Sequence, residues 1–201
     1  MTHPATGWPV RSTSALCAAA EVSEDATALL ATALLATAPV EPPQRVFVGS
    51  LVERELFADA IAFLAHALPR REAVWWAWVC ARKASGQTPP PKIQAALDAT
   101  ERWIVQPTED NRRQAMLYGE LADFGTPAGC AALGAFFSGG SLSPADAPPV
   151  PPGEFMTAKA VADSVTMAAV SAEPEKAPEK FQEYVRLALE VADRTKLWPA
   201  A

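Results

Sequence analysis

Two histidines and three cysteines are the only imidazole and thiol groups in this chain of 201 residues. Cys17, Cys80 and Cys130 are odd in number and far apart, so neither a disulfide framework nor a zinc site with paired spacing is available. Each lies among alanines and large apolar residues, where cysteine packs as a small hydrophobe, and a reducing compartment is implied. Positive charge is also scarce: 17 basic residues against 23 acidic leave a net charge of −6. The basic residues are scattered, with Arg70–Arg71 and Arg112–Arg113 the only adjacent arginine pairs. A nucleic-acid backbone or an anionic membrane needs concentrated positive charge, so nucleic acid is not an expected partner.

Long hydrophobic runs are missing as well. The uncharged stretch 26–40 falls short of the roughly 18–20 apolar residues a membrane span needs, and it contains three threonines. The longer uncharged stretch 124–145 is divided by glycines, a proline and serines, and reads as a turn, a short small-residue helix and a second turn. No membrane insertion is expected. Residues 1–9 lack a basic region followed by an apolar run, so no export signal is expected and the location expected is the cytoplasm. Neither a Gly-x-x-x-x-Gly-Lys loop nor a Gly-x-Gly-x-x-Gly segment occurs, and no serine or cysteine nucleophile has a visible base partner. No catalytic residue is assigned, and no metal or cofactor is expected.

What is present is alanine, in an apolar half of the chain where aromatics are modest. Alanine is the best helix former and lets helices pack closely, so the bias favours a helical stack. The 19 prolines cluster at 39, 42–43, 89–91, 107, 144–152 and 174, between the helical stretches, where they punctuate. The fold expected is all-α, an irregular multi-helix bundle or a short α-solenoid of antiparallel helices, with no fixed repeat period. Residues 1–12 are expected to be loose. Residues 13–201 are expected to form a single helical domain with a Pro/Gly-rich linker at 138–153.

Periodicity predicts helices over 14–22 and 24–37, the second with Ser23 as its N-cap. The segment 44–49 is ambiguous between strand and helical turn. Ser50, with Glu53 three residues on, reads as a capping box opening a helix with Val52, Leu56, Ala60, Phe63, Leu64 and Ala67 on its buried stripe. Further helices are predicted over 71–83, 92–105, from Thr108 to Gly125, 126–137, 157–170 and 175–194. The helix after Thr108 carries Glu109 and Asp110 in its first turn, where the dipole favours acid, and is expected to bury Ala115, Met116, Tyr118, Leu121 and Ala122.

Two groups of residues stand out chemically. On the 71–83 helix, Trp75 and Trp78 share one side with Arg71 and Arg82, each arginine a turn away from a ring it can cover as a cation–π pair. Trp and Arg are the residues most enriched at binding hot spots, so Arg71, Trp75, Trp78 and Arg82, with Trp198 near the C-terminus, form a candidate partner surface. Against it, a helix apolar on every side is usually interior, with end arginines snorkelling out. The second group is His66 with Glu55 and Asp59, placed on one face of the same predicted helix. Asp59 and His66 are seven residues apart, about 10 Å along the axis, too far for one metal or proton relay. A partly buried histidine at the end of a solvent-facing edge is the simpler reading. An alternative class of function, a small-molecule binder or enzyme, would use an inter-helix pocket near His66, Trp76 and Tyr118.

The segment from Phe63 to Ala77, with its Leu-Pro-Arg-Arg-Glu-Ala-Val-Trp-Trp core, resembles an uncharacterised bacterial family. So do Trp103 with Pro107-Thr-Glu-Asp-Asn-Arg-Arg113, the Gly125-Thr-Pro-Ala-Gly129 turn, and Phe137-Ser-Gly-Gly-Ser-Leu142. The resemblance runs from about Ser14 to the final helix. The family looks like proteins encoded beside type VI secretion genes, a domain of unknown function with no established catalytic residues to carry over. What the resemblance implies is a cytoplasmic accessory or adaptor protein of a contractile secretion apparatus. Such a protein would act by protein–protein contact on a secretion component or an effector.

Overall fold

A computed structural model describes residues 11–37, 40–144 and 146–198. The loose start expected at 1–12, His3 and Pro39 therefore lie outside the described residues, except for Arg11 and Ser12. The described residues contain ten α-helices and no strand. These are α1 (Thr13–Ala20), α2 (Glu24–Thr37), α3 (Gln44–Glu53), α4 (Phe57–Ala67), α5 (Arg70–Ala84), α6 (Pro91–Val105), α7 (Glu109–Ala122), α8 (Pro127–Phe136), α9 (Met156–Val170) and α10 (Ala177–Arg194). A single 3₁₀ turn, Pro174–Lys176, precedes α10. No helix among the described residues is long and apolar enough to cross a membrane. The residues group into two compact units, Met1–Pro69 with Pro178–Ala201, and Arg70–Ala177.

In the first unit the ambiguous segment 44–49 is helical, the first half of α3. Phe47, Val48 and Leu51 point to one side and are fully enclosed, and Phe47 meets Phe63 of α4 at 5.5 Å between ring centroids. Ser50 is consequently interior to α3 and caps nothing; its hydroxyl donates to Val46 O at 3.3 Å. The chain breaks after Glu53, where Glu55 takes φ 59°. Leu56 N–H bonds to Leu51 O and Glu55 N–H to Val52 O, the paired closing bonds of a Schellman motif. The predicted capping box is thus a helix end, and Val52 and Leu56 are only half-buried.

That break also removes Glu55 from the face proposed for Asp59 and His66. The Asp59 carboxylate instead accepts from Ser23 N at 2.7 Å and Ser23 Oγ at 2.8 Å, while Ser23 Oγ caps Ala26 N as predicted. His66 is buried, not on a solvent-facing edge, and its Nδ1 lies 2.7 Å from Ala62 O. On α10 the amphipathic stripe packs Tyr184, Val185 and Ala188 inward, and Phe181 stacks on Phe57 at 5.5 Å.

The second unit assembles α5 to α9. Its interior is dominated by small residues, which bring the helix axes close. A Cβ on Gly119 of α7 would lie 2.9 Å from Ala132 Cβ of α8, and one on Gly134 of α8 would lie 3.3 Å from Val161 Cγ2 of α9. Trp76, Val74, Leu97 and Val161 supply the large groups. Thr108 and Thr126 cap α7 and α8 through bonds from Asn111 N and Gly129 N, as their positions predict. Leu121, expected inside, is 58 % exposed; the buried face of α7 is made by Arg112, Ala115, Gly119 and Ala122. The Pro/Gly-rich residues 138–153 fall within this unit. All three cysteines are buried, and burial pushes the Cys17 and Cys130 thiols up to about 11.

Candidate functional site: an arginine-lined cleft

Arg112 sits one turn into α7 and is only 3 % exposed, an unusual place for a residue that is almost never fully buried unless paired. Its guanidinium is paired on nearly every edge. Nε donates to Glu109 Oε2 at 2.7 Å, Nη2 to Glu109 Oε1 and to Ser141 O at 2.8 Å each, and Nη1 to Phe136 O at 2.5 Å. Its Cζ lies 4.5 Å from the centroid of the Phe136 ring, within cation–π range. Arg113 donates to Glu109 Oε1 at 2.7 Å and to Ser143 O at 2.9 Å. Glu109 is thus held by two guanidiniums, whose hydrogen bonds and charge, led by those of Arg112, keep its carboxyl below the usual carboxylate range.

The loop after α8 closes over this knot. Gly140 takes φ 66°, and a Cβ there would stand 2.8 Å from Glu109 Oε2 and 2.9 Å from Arg112 Nε and Nη2. The left-handed backbone and the close approach both favour glycine here. Leu142 N–H bonds to Val150 O at 2.8 Å, and Ser141 Oγ accepts from Ser143 N and Val150 N, so the proline-rich segment is tied back on itself. Arg70, the first residue of α5, pins both ends of the loop, donating to Ser138 O at 2.9 Å and Glu154 O at 3.3 Å. Arg71 donates to Ile104 O at 2.6 Å and Val105 O at 3.2 Å, the orphan carbonyls at the end of α6.

These elements surround an open cleft of about 340 Å³, lined by Arg70, Arg71, Arg112 and Glu109 with Trp103, Pro107, Thr108, Ser138, Gly139 and Gly140. Its residues come from Pro-Arg-Arg, from Trp103…Arg113 and from Phe137…Leu142, three of the four stretches on which the family resemblance rests. Periodicity had no means of finding it, because its parts lie at helix ends and in a loop.

The predicted partner surface fares unevenly. Trp75 and Trp78 are half-buried, and Trp78 Nε1 donates to Leu97 O at 2.9 Å, anchoring α5 on α6. Arg82 donates to Gln94 Oε1 at 2.7 Å, and Arg71 to the end of α6, so both guanidiniums hydrogen-bond within the unit. Trp198 is half-buried in the first unit, where it shares a small crevice with Arg11, Leu16, Gln44, His66, Ala67 and Leu197. Of the alternative pocket residues, Trp76 is fully enclosed and presents no face to a ligand. Tyr118 packs half-buried against a cluster of Ala81, Ala96, Leu97, Ala122 and Ala128, and His66 belongs to the other unit. Among the described residues no group of three His, Cys, Asp or Glu side chains stands together to hold a metal ion.

The class defined by these observations is an all-helical protein with a built, positively charged cleft in its second unit. The chain belongs to a family of unknown function, DUF6931, whose model matches residues 47–192. No curated protein and no solved structure matches it.

Proposed function

We propose that this protein is a cytoplasmic accessory or adaptor protein of a type VI secretion system, acting through protein–protein contact on a secretion component or an effector. The secretion context rests on the resemblance described above. The observation that carries the contact reading is the outward face of α7. Leu117 and Leu121, one turn apart, are 48 % and 58 % exposed, where an ordinary solvated helix face would carry charge. Val105, at the end of α6, is 71 % exposed in the same unit.

The test is a pull-down from a bacterium that encodes both this protein and a type VI apparatus, repeated with a Leu117→Ser/Leu121→Ser variant. Recovery of a sheath, baseplate or effector protein that is lost in the variant is the expected outcome. Recovery of no secretion component removes the secretion assignment. Recovery undiminished by the double substitution removes α7 as the contact face.

A further inference from the structure

We infer that the cleft between the starts of α5 and α7 is an oxyanion-binding site that takes a small molecule bearing a carboxylate or phosphate group. This goes beyond the adaptor reading and stands on separate residues. Three arginines line the cleft against a single acid, Glu109, in a chain whose net charge is −6. Glu109 is already committed to Arg112 and Arg113. Arg70 and Arg71 bond only to backbone carbonyls, and those at the end of α6 answer Arg71 with a helix-end partial charge, not with a carboxylate. Two guanidiniums without an ion pair, half-buried Arg70 and exposed Arg71, therefore share one concavity, and their fields add there.

The donors for a ligand are present. Among the described residues neither Arg70 Nε nor Arg71 Nη1 makes a hydrogen bond. Arginine's planar fork matches carboxylate and phosphate oxygens two at a time. The carbonyl bonds fix both side chains before a ligand arrives, so less rotamer entropy is lost on binding. Buried Trp103, with Pro107 and the Gly139–Gly140 backbone, walls the cleft with groups that add no competing negative charge. Its volume of about 340 Å³ is at the small end of ligand sites, which fits a metabolite-sized anion.

Isothermal titration of the full chain with inorganic phosphate and with citrate, against sodium chloride at matched ionic strength, tests this. Single-site binding of one of the two anions is expected, weakened roughly tenfold or more in Arg71→Gln, since hydrogen bonds to charged groups are the strong ones. Arg71→Lys, which keeps the charge and loses the fork, should fall between. Arg186→Gln, an exposed arginine on α10, should bind as the unmodified chain does. Circular dichroism and melting curves confirm that each variant is folded, and a rise in melting temperature with anion concentration gives a second readout. Tighter binding of phosphate assigns a phosphorylated ligand, and tighter binding of citrate a carboxylate. Heats no larger than those of chloride overturn the site. So does binding that Arg71→Gln and Arg70→Gln both leave unchanged.

Discussion

Replacing Arg112 by leucine isolates the knot that builds the wall of the cleft. Leucine fills much of the space of the arginine stem, so the loss is chiefly polar. The Glu109 carboxylate is half exposed and keeps Arg113, so water and that partner recover most of its interaction. The Phe136 and Ser141 carbonyls lose their donor, at about 1–3 kcal/mol for each one left buried. The stacking on Phe136 is worth a further ~1 kcal/mol. Ser141 is only half-buried, so water recovers part of its loss and holds it to about 1 kcal/mol, and the total is about 3–5 kcal/mol.

For a chain of this length, 1 kcal/mol moves the midpoint by about 2–4 °C, so Arg112→Leu should melt roughly 10 °C lower. Arg113→Leu removes a partly exposed pair to the same carboxylate and should cost under ~1 kcal/mol. Thermal denaturation followed by circular dichroism at neutral pH compares the two. An Arg112→Leu variant melting within about 2 °C of the parent would refute the argument that this buried guanidinium holds the 138–143 loop to α7 and α8.

Two glycines give opposite expectations in the same assay. A Cβ at Gly129 would stand 2.1 Å from Asp123 O, a backbone atom that cannot step aside, so Gly129→Ala should cost roughly 3 kcal/mol or more. A Cβ at Gly49, inside α3, meets nothing within 4 Å, so Gly49→Ala should stabilise by roughly 0.5–1 kcal/mol. Glu109→Gln should change the acid limb of stability. Because Arg112 and Arg113 lower the folded-state carboxyl, its contribution is present above the ordinary glutamate range and is lost as pH falls through the lowered value. The parent should therefore lose stability relative to Glu109→Gln on acidification below about pH 4.5, read from melts across that range; parallel curves would contradict the pairing.

The helices of the second unit were legible because their ends carry the usual signals. Pro91 and Pro127 stand at first-turn positions, and Thr108 and Thr126 are N-caps that bond as their residue types predict. In the first unit the bounds of α2 and the end of α10 were legible too, but the end of α3 was hidden. α1, α3 and α10 each close with a Schellman pair whose left-handed residue is charged: Glu21, Glu55 and Lys196. Glycine is the usual occupant of that position, and without it the break after Glu53 left no mark. The run Ser50–Glu53 then imitated a helix start, though it is the last turn of α3. Leu121 was placed inward, and Arg112 left out of the buried face, for a related reason. A hydrophobicity pattern ranks leucine inward and arginine outward, and cannot register that Glu109 and two carbonyls stand ready to receive the guanidinium.

The same blindness applied to the cleft, where the three lining arginines, together with Arg113 on the far side of Glu109, perform two different tasks. Arg112 and Arg113 meet a carboxylate, so their charge is answered within the fold, and their removal should register as lost stability. Arg70 and Arg71 meet carbonyls, which occupy N–H donors but supply no carboxylate to pair with either charge. A guanidinium that served only as a staple at the end of α6 would perform as well beside an acid, and among the lining residues the one acid is already taken. Stability and anion affinity should therefore separate along the chain: substitutions at Arg112 move melting temperature first, and substitutions at Arg71 move phosphate or citrate binding first. That division distinguishes a cleft that binds from one that is merely the seam between two helix ends and a loop.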